Sequence, residues 1–253
     1  MRIEKHSYSS PLGRIEILMR PGSSDESVIC DVIENDCYSV QKMNIQRAHP
    51  LVFDMGGNIG AFSKMILKRW PTAQIRAFEP HPLNFGVLSH NLMYANAKCE
   101  LGAVQGKRLP HRYLVERAED EKKDIYGGWN VIQRTNEYCP DGSFEVGLDC
   151  QFFDPEPIMA EARLSDRDVI VKMDIEAAEF HVIDRWSDET LRSIDYLVGE
   201  FHLDAFNLDY YQSSPWSSIR SRLLRFFDCP EIEDHPVSST GKLFEFFATA
   251  KHK

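Results

Sequence analysis

The chain has 253 residues with 29 Lys+Arg against 39 Asp+Glu, a formal charge of -10, and a field of that sign repels a phosphate backbone, so nucleic acid is not an expected partner. With 43% hydrophobic and 27% charged residues it is globular in composition, and no uncharged apolar run approaches the roughly 18 residues that would span a bilayer. The length suits a single α/β domain, 1–253, with a large core.

The opening MRIEKHSYSSPLGRIEIL carries charges and Pro11 where a secretory signal needs an unbroken apolar stretch. The cysteines Cys30, Cys37, Cys99, Cys139, Cys150 and Cys229 are scattered, without a CxxC or a His partner at zinc spacing. Both features predict reduced thiols and a cytoplasmic location. Residues 1–48 read as an N-terminal cap: a strand around Arg14–Met19, a turn, then a helix with Asp25 as N-cap and Val28, Ile29, Val32 and Ile33 on one face.

From residue 49 to the end, buried strands alternate with amphipathic helices. LVFDMGG is a strand running into glycines, IGAFSKMILKRW a helix, QIRAFEP a strand stopped by Pro80, PLNFGVLSHNLMYAN a helix, and CELGAV a strand. Residues 105–157 break the rhythm and read as an insertion, with strands in HRYLV and FEVGL. DVIVKMDI then forms a strand, Glu179–Trp186 a helix, SIDYLVGEFH a strand, Trp216–Phe227 a helix and LFEFFATA a last strand. The alternation predicts an α/β fold, a doubly wound and mostly parallel sheet with helices on both faces. Arg220, Arg222 and Arg225 form the densest basic group and read as a solvated helix face.

Four segments carry chemistry. In Asp54-Met55-Gly56-Gly57-Asn58-Ile59-Gly60 a strand hands over to a helix, and Gly56, Gly57, Asn58 and Gly60 let the backbone approach a nucleotide-like ligand. The spacing departs from G-x-G-x-x-G. Asp54 before the glycines suits a cationic amino-acid head group better than a pyrophosphate, which favours S-adenosylmethionine (AdoMet) over a nicotinamide dinucleotide. Glu79, at the next strand end, is placed to accept from ribose hydroxyls, and Ala103 and Val104 are candidates for the adenine side, with core packing the alternative.

VIVKMDIEAAEFHVI ends a strand in Asp174, Glu176 and Glu179, of which Asp174 is the candidate to position an acceptor hydroxyl or hold a divalent metal ion; Glu176 and Glu179 also suit a helix first turn. In GEFH, Glu200 and His202 share one side by period-two alternation, so His202 is the candidate general base with Glu200 to orient it.

The segments RPGSSDESVICDVI, VFDMGGNIGAFS, AFEPHP, VKMDIEAAE and GEFH, in that order, resemble the FkbM family of class I AdoMet-dependent methyltransferases over most of the chain. The resemblance implies a Rossmann-like seven-stranded fold and methylation of a hydroxyl oxygen, often on a sugar or secondary metabolite. This chain has Ala177 where the family pattern D-x-E-G-x-E has glycine, and Gly57 where alanine is usual, and neither change removes a chemical group. The expected partner is a small hydroxyl-bearing molecule, with neither nucleic acid nor membrane. A nicotinamide-dependent oxidoreductase and a non-catalytic nucleoside-binding module are the alternatives.

Overall fold

The computed structural model describes residues 2–105, 113–117, 130–132, 143–146, 151–175, 178–202, 216–234 and 243–251. The chain opens with a hairpin of β1 (Glu4–Ser10) and β2 (Gly13–Met19), in register from Glu4↔Met19 to Ser10↔Gly13. β2 buries Ile15, Ile17 and Met19, which made it legible, whereas β1 buries none of its side chains fully and carries no comparable signal. Helix α1 (Asp25–Ile29) runs into a π-helical turn over Cys30–Glu34. Ser24, not Asp25, holds the N-cap position. The Asp25 carboxylate instead accepts from the Arg20 backbone N–H and Nε at 2.8 Å each and from Nη2 at 2.5 Å, and both side chains are buried. A paired, hydrogen-bonded charge of this kind is the form in which burial is tolerated.

The following elements are β3 (Leu51–Met55), α2 (Ala61–Arg69), β4 (Gln74–Glu79), α3 (Pro82–Leu92) and β5 (Ala97–Val104). β6 (Tyr113–Arg117), β7 (Asn130–Ile132) and β8 (Ser143–Val146) form a separate antiparallel sheet in the order β7-β6-β8. The main sheet takes up again at β9 (Gln151–Phe153), within the stretch read as an insertion, and is followed by α4 (Pro155–Ile158) and α5 (Ala160–Leu164). β10 (Val169–Met173), α6 (Glu179–Arg185), α7 (Asp188–Ser193), β11 (Tyr196–His202), α8 (Trp216–Phe226), β12 (Phe227–Asp228), α9 (Pro230–Asp234) and β13 (Leu243–Ala250) complete the chain.

The main sheet has eight strands in the order β12-β13-β11-β10-β3-β4-β5-β9, one more than expected. β9 and β12 are three and two residues long, too short for periodicity to reveal, and Phe227 belongs to β12 rather than to the end of a helix. β11, β10, β3, β4, β5 and β9 run parallel, and β13 lies antiparallel between β11 and β12. This is a Rossmann-like α/β fold. The chain order reverses between β3 and β10, the place where an open α/β sheet opens a crevice at its strand ends.

Alternation along the strands separates two cores. Leu51, Phe53 and Met55 of β3, Val169, Val171 and Met173 of β10, and Leu197 and Phe201 of β11 pack with Phe180, Ile183, Trp186, Ile219 and Leu223 on one face. Val52, Ile170 and Val198 pack on the other with Phe62, Met65, Val87 and Leu88 and with the N-terminal residues Ile17, Ile29, Ile33 and Tyr38. The basic group of α8 is not simply a solvated face: Arg222 donates to the carbonyls of Ile183 and Trp186, satisfying the C-terminal end of α6, and Arg220 donates to the Ile232 carbonyl. Among the described residues no helix is long and apolar enough to cross a membrane.

Candidate functional site

Asp54, Glu79, Lys172, Glu200 and His202 occupy the strand parity that faces the second core, and Asp174 follows β10 in the same phase. Lys172 is register partner of Asp54, and Met173 of Gly199, so these groups line up across neighbouring strands at their carboxyl ends. The sheet geometry alone gathers them.

The glycine turn leaves β3 with Gly56 at φ 78°, Asn58 at φ 48° and Gly60 at φ 89°, all in the left-handed region. The N–H groups of Gly56 and Gly57 donate to the Phe78 carbonyl at 3.0 and 2.8 Å. At Gly56 a Cβ would sit 1.8 Å from the Asp174 carbonyl oxygen, so the missing side chain first serves the close passage of β3 past the end of β10. A Cβ at Gly57 would meet the two Leu88 methyls at 3.2 and 3.4 Å and the Ala77 Cβ at 3.7 Å.

Asp54, expected to meet a cationic head group, is wholly enclosed beneath the turn. Its Oδ2 accepts from Ser63 Oγ at 2.6 Å, and its Oδ1 makes no hydrogen bond among the described residues, the nearest cation being Lys172 Nζ at 3.8 Å. Burial pushes the Asp54 carboxyl up from its usual range. Lys172, which the sequence reading passed over, lies at the centre: its Nζ donates to the Gly56 carbonyl at 2.6 Å, stands 3.5 Å from Asp174 Oδ2, and lies 5.4 Å from the Tyr38 ring centroid. Burial by itself would lower the Lys172 pKa, but Asp174, Asp54, Glu200 and Glu79 outweigh it and keep the ammonium charged. A lysine inside the apolar run VIVKM was the signal that could have found it.

Glu79 is buried, and its two oxygens accept from the backbone N–H of Asn58 at 2.7 Å and of His81 at 2.8 Å. Burial raises its pKa to about 7, against the lowering effect of those two amides. His81 is the N-cap of α3 and accepts from the Asn84 N–H; burial, with Arg20 nearby, lowers its pKa to about 4, so its imidazole is neutral. Asn58 Oδ1 and Gln105 Oε1 are buried and make no hydrogen bond among the described residues. Of the residues expected beside an adenine, Val104 packs in the first core and Ala103 is buried on the opposite side of β5.

The β10 and β11 ends bring the remaining candidates together. His202 Nε2 lies 4.0 Å from Asp174 Oδ1 and 3.9 Å from Glu200 Oε2. Its Nδ1 lies 3.0 Å from Glu179 Oε1, so Glu179 and not Glu200 is the carboxylate that orients the ring. Period-two alternation placed Glu200 on the right side, but at a distance beyond hydrogen bonding. Glu179 has no exposed surface, and its Oε1 also accepts from the Ile175 N–H at 3.0 Å.

Tyr38 donates its hydroxyl to Asp174 Oδ2 at 2.9 Å, a contribution from the N-terminal segment with no sequence signal. Burial would raise the Asp174 pKa, yet Lys172, His202 and Tyr38 hold the group below the usual carboxylate range; burial and the Asp174 charge raise Glu200 to about 7. Glu176 and Ala177 lie outside the described residues. Among the described residues Asp174, Glu200 and His202 form a group able to hold a metal ion, each supplying one ligand atom within 4.8 Å of the others.

No protein-family profile matches the chain. It is 24% identical over 206 residues to methyltransferase sdnD of Sordaria araneosa, covering 67% of this chain and 72% of that protein. It is 23% identical over 208 residues to Methyltransferase 1 of Beauveria bassiana (strain ARSEF 2860), covering 76% of each. Among solved structures it is similar to methyltransferase FkbM from Methylobacillus flagellatus KT, with a TM-score of 0.37 and 12% identity, over 83% of this chain and 46% of that one.

Proposed function

We propose that the chain is an AdoMet-dependent methyltransferase that transfers a methyl group to a hydroxyl oxygen of a small molecule. One observation carries the reading: the same strand parity presents a glycine turn after β3, buried Glu79 on β4 and, across β10 on β11, a histidine whose ring is held by a buried carboxylate. The names of its two curated relatives agree with it, and the likeness of VKMDIEAAE and GEFH to the FkbM pattern supports oxygen as the target.

AdoMet supplies a methyl group on a cationic sulfur. Toward it the chain offers the turn Gly56–Gly60, Glu79 with a lone pair to spare on each oxygen for ribose hydroxyls, and Asn58 Oδ1 and Gln105 Oε1 as buried acceptors without a donor among the described residues. Those orphaned oxygens are the fit test, since a buried acceptor without a partner costs about 1 to 3 kcal/mol that a ligand donor recovers. Asp54, with Ser63 and Lys172, supports the turn from beneath, and Ala103 borders the adenine side. Asp174, Glu200 and His202 face the acceptor, whose hydroxyl proton passes to His202 Nε2. Oxygen is a weak nucleophile until that proton leaves. The formal charge of -10 favours a small acceptor over a polyanion.

Parallel calorimetric titrations with S-adenosylhomocysteine (AdoHcy) and NADH test the reading. AdoHcy should bind at one site per chain and NADH should give no heat; the reverse result removes the methyltransferase in favour of an oxidoreductase.

A further inference from the structure

We infer that Asp174, Glu200 and His202 form a binding site for a divalent first-row cation. The distances point there first. His202 Nε2 lies 4.0 Å from Asp174 Oδ1 and 3.9 Å from Glu200 Oε2, too far for hydrogen bonds. Three ligand atoms around an ion at about 2.1 Å stand roughly 3.0 to 3.6 Å apart, so these donors would close on an ion by a shift of under about 1 Å each.

The far side of two of the donors is already engaged, which turns the remaining atom toward the gap. Glu179 Oε1 accepts from the Ile175 N–H and faces His202 Nδ1 at 3.0 Å, which makes Nδ1 the donor and leaves the lone pair on Nε2. A buried carboxylate behind an imidazole is the arrangement that orients metal-binding histidines and strengthens them as ligands. Asp174 Oδ2 takes the Tyr38 hydroxyl at 2.9 Å and faces Lys172 at 3.5 Å, leaving Oδ1 toward the imidazole.

The three groups sit at the ends of β10 and β11, which are paired through Met173↔Gly199, so their spacing is set by the sheet. Asp174, Asp54, Glu200 and Glu79 all act on the buried Lys172 ammonium, and a carboxylate-rich surrounding of this kind suits a cation. One imidazole and two carboxylates are a donor set for Mn²⁺ or a neighbour in its row, not for a thiolate-seeking metal.

Binding of the ion stands on this geometry alone; its consequence rests on the methyltransferase reading. A hydroxyl oxygen bound to the ion would release its proton to water more readily. With the ion bound His202 Nε2 would be a ligand and the proton would leave to water, whereas without the ion the same nitrogen takes it as base.

The test is titration of metal-stripped protein with Mn²⁺, followed by the paramagnetic resonance of free Mn²⁺ and by calorimetry, with no cofactor present. One Mn²⁺ per chain is expected. Asp174→Asn, Glu200→Gln and His202→Ala should each weaken it at least about 10-fold, and Glu179→Gln by about 10- to 100-fold through lost orientation. Asp154→Asn, a surface change beside Arg185, should leave it unchanged. Absence of uptake at millimolar Mn²⁺, or equal affinity in folded Asp174→Asn and Glu200→Gln proteins, overturns the site. An AdoHcy titration in chelator reports separately: Mn²⁺ binding without AdoHcy binding keeps the ion site and removes the methyltransferase.

Discussion

His202 and Glu179 are 23 residues apart in the chain and meet through Nδ1 and Oε1 at 3.0 Å. One comes from the end of β11 and the other from the first turn of α6, and the second is fully enclosed. A buried carboxylate behind an imidazole fixes which ring nitrogen is left to do chemistry.

From that pairing we expect His202→Ala to lower turnover by roughly 100- to 10,000-fold while AdoHcy affinity stays near that of the parent protein. Glu179→Gln should lower turnover less, by about 10- to 100-fold, since the ring keeps its place but loses a charged partner. Steady-state rates beside calorimetric affinities check both. Equal losses in affinity and turnover would mean that the pair supports the fold rather than the reaction.

A second expectation concerns Gly56, whose added Cβ would lie 1.8 Å from the Asp174 carbonyl oxygen, at a φ of 78°. Gly56→Ala should therefore destabilise the protein by at least about 2 kcal/mol, combining left-handed strain with a forced backbone shift. For a chain of this size that lowers Tm by roughly 4 to 8 °C. Gly57→Ala meets the Leu88 methyls and, at ordinary contact distance, the Ala77 Cβ, and should be milder. Thermal melts of the two variants side by side decide it; equal Tm values would contradict the packing account.

How much of this was legible in the sequence follows from what makes each signal. Strands buried on both faces, such as LVFDM and VIVKM, announce themselves by apolar runs, and the order of strands and helices gave the fold class. QFF at β9 and FD at β12 carry no such signal, and the sheet gained a strand through them. Asp174, Glu200 and His202 were readable because strand ends converge. Tyr38 was not, since it reaches Asp174 from 136 residues away. Glu179 looked like a first-turn acid, and only the three-dimensional path of α6 shows that it backs His202.

The pH dependence follows from Glu79, whose pKa is raised to about 7 by burial. Ribose hydroxyls donate to the carboxylate form, so ligand binding should expel a proton, and AdoHcy affinity should rise as pH increases through about 7. Calorimetry in buffers of different ionisation enthalpy reads that proton directly. For stability the sign is opposite: a carboxyl whose folded pKa is raised binds protons better when folded. The ligand-free protein is thus favoured below the ordinary value of 4.5 and loses that advantage as pH rises through about 7. Glu200, also raised to about 7, adds to the same trend, and Glu200→Gln should flatten it. His81, lowered to about 4, acts in the opposite sense up to 6.5, so the check is the difference from the parent: folded Glu79→Gln and Glu200→Gln proteins with the parent's pH slope over that window would contradict the assignments.

Removal of one partner from the buried Arg20–Asp25 pair should be costly, because it strands a charge that also reaches Asn84 at the start of α3. We expect Asp25→Ala to cost about 3 to 5 kcal/mol in denaturant unfolding. A loss under about 1 kcal/mol would show that water replaces the carboxylate there.

The central claim is methyl transfer from AdoMet to an oxygen, and its most direct test is incubation of the protein with methyl-labelled AdoMet and a cell extract, read by mass spectrometry of the small-molecule and RNA fractions. The account predicts a labelled small molecule carrying the methyl group as an ether on oxygen, formed in step with AdoHcy. Label on nitrogen or carbon, or label confined to RNA, would contradict it.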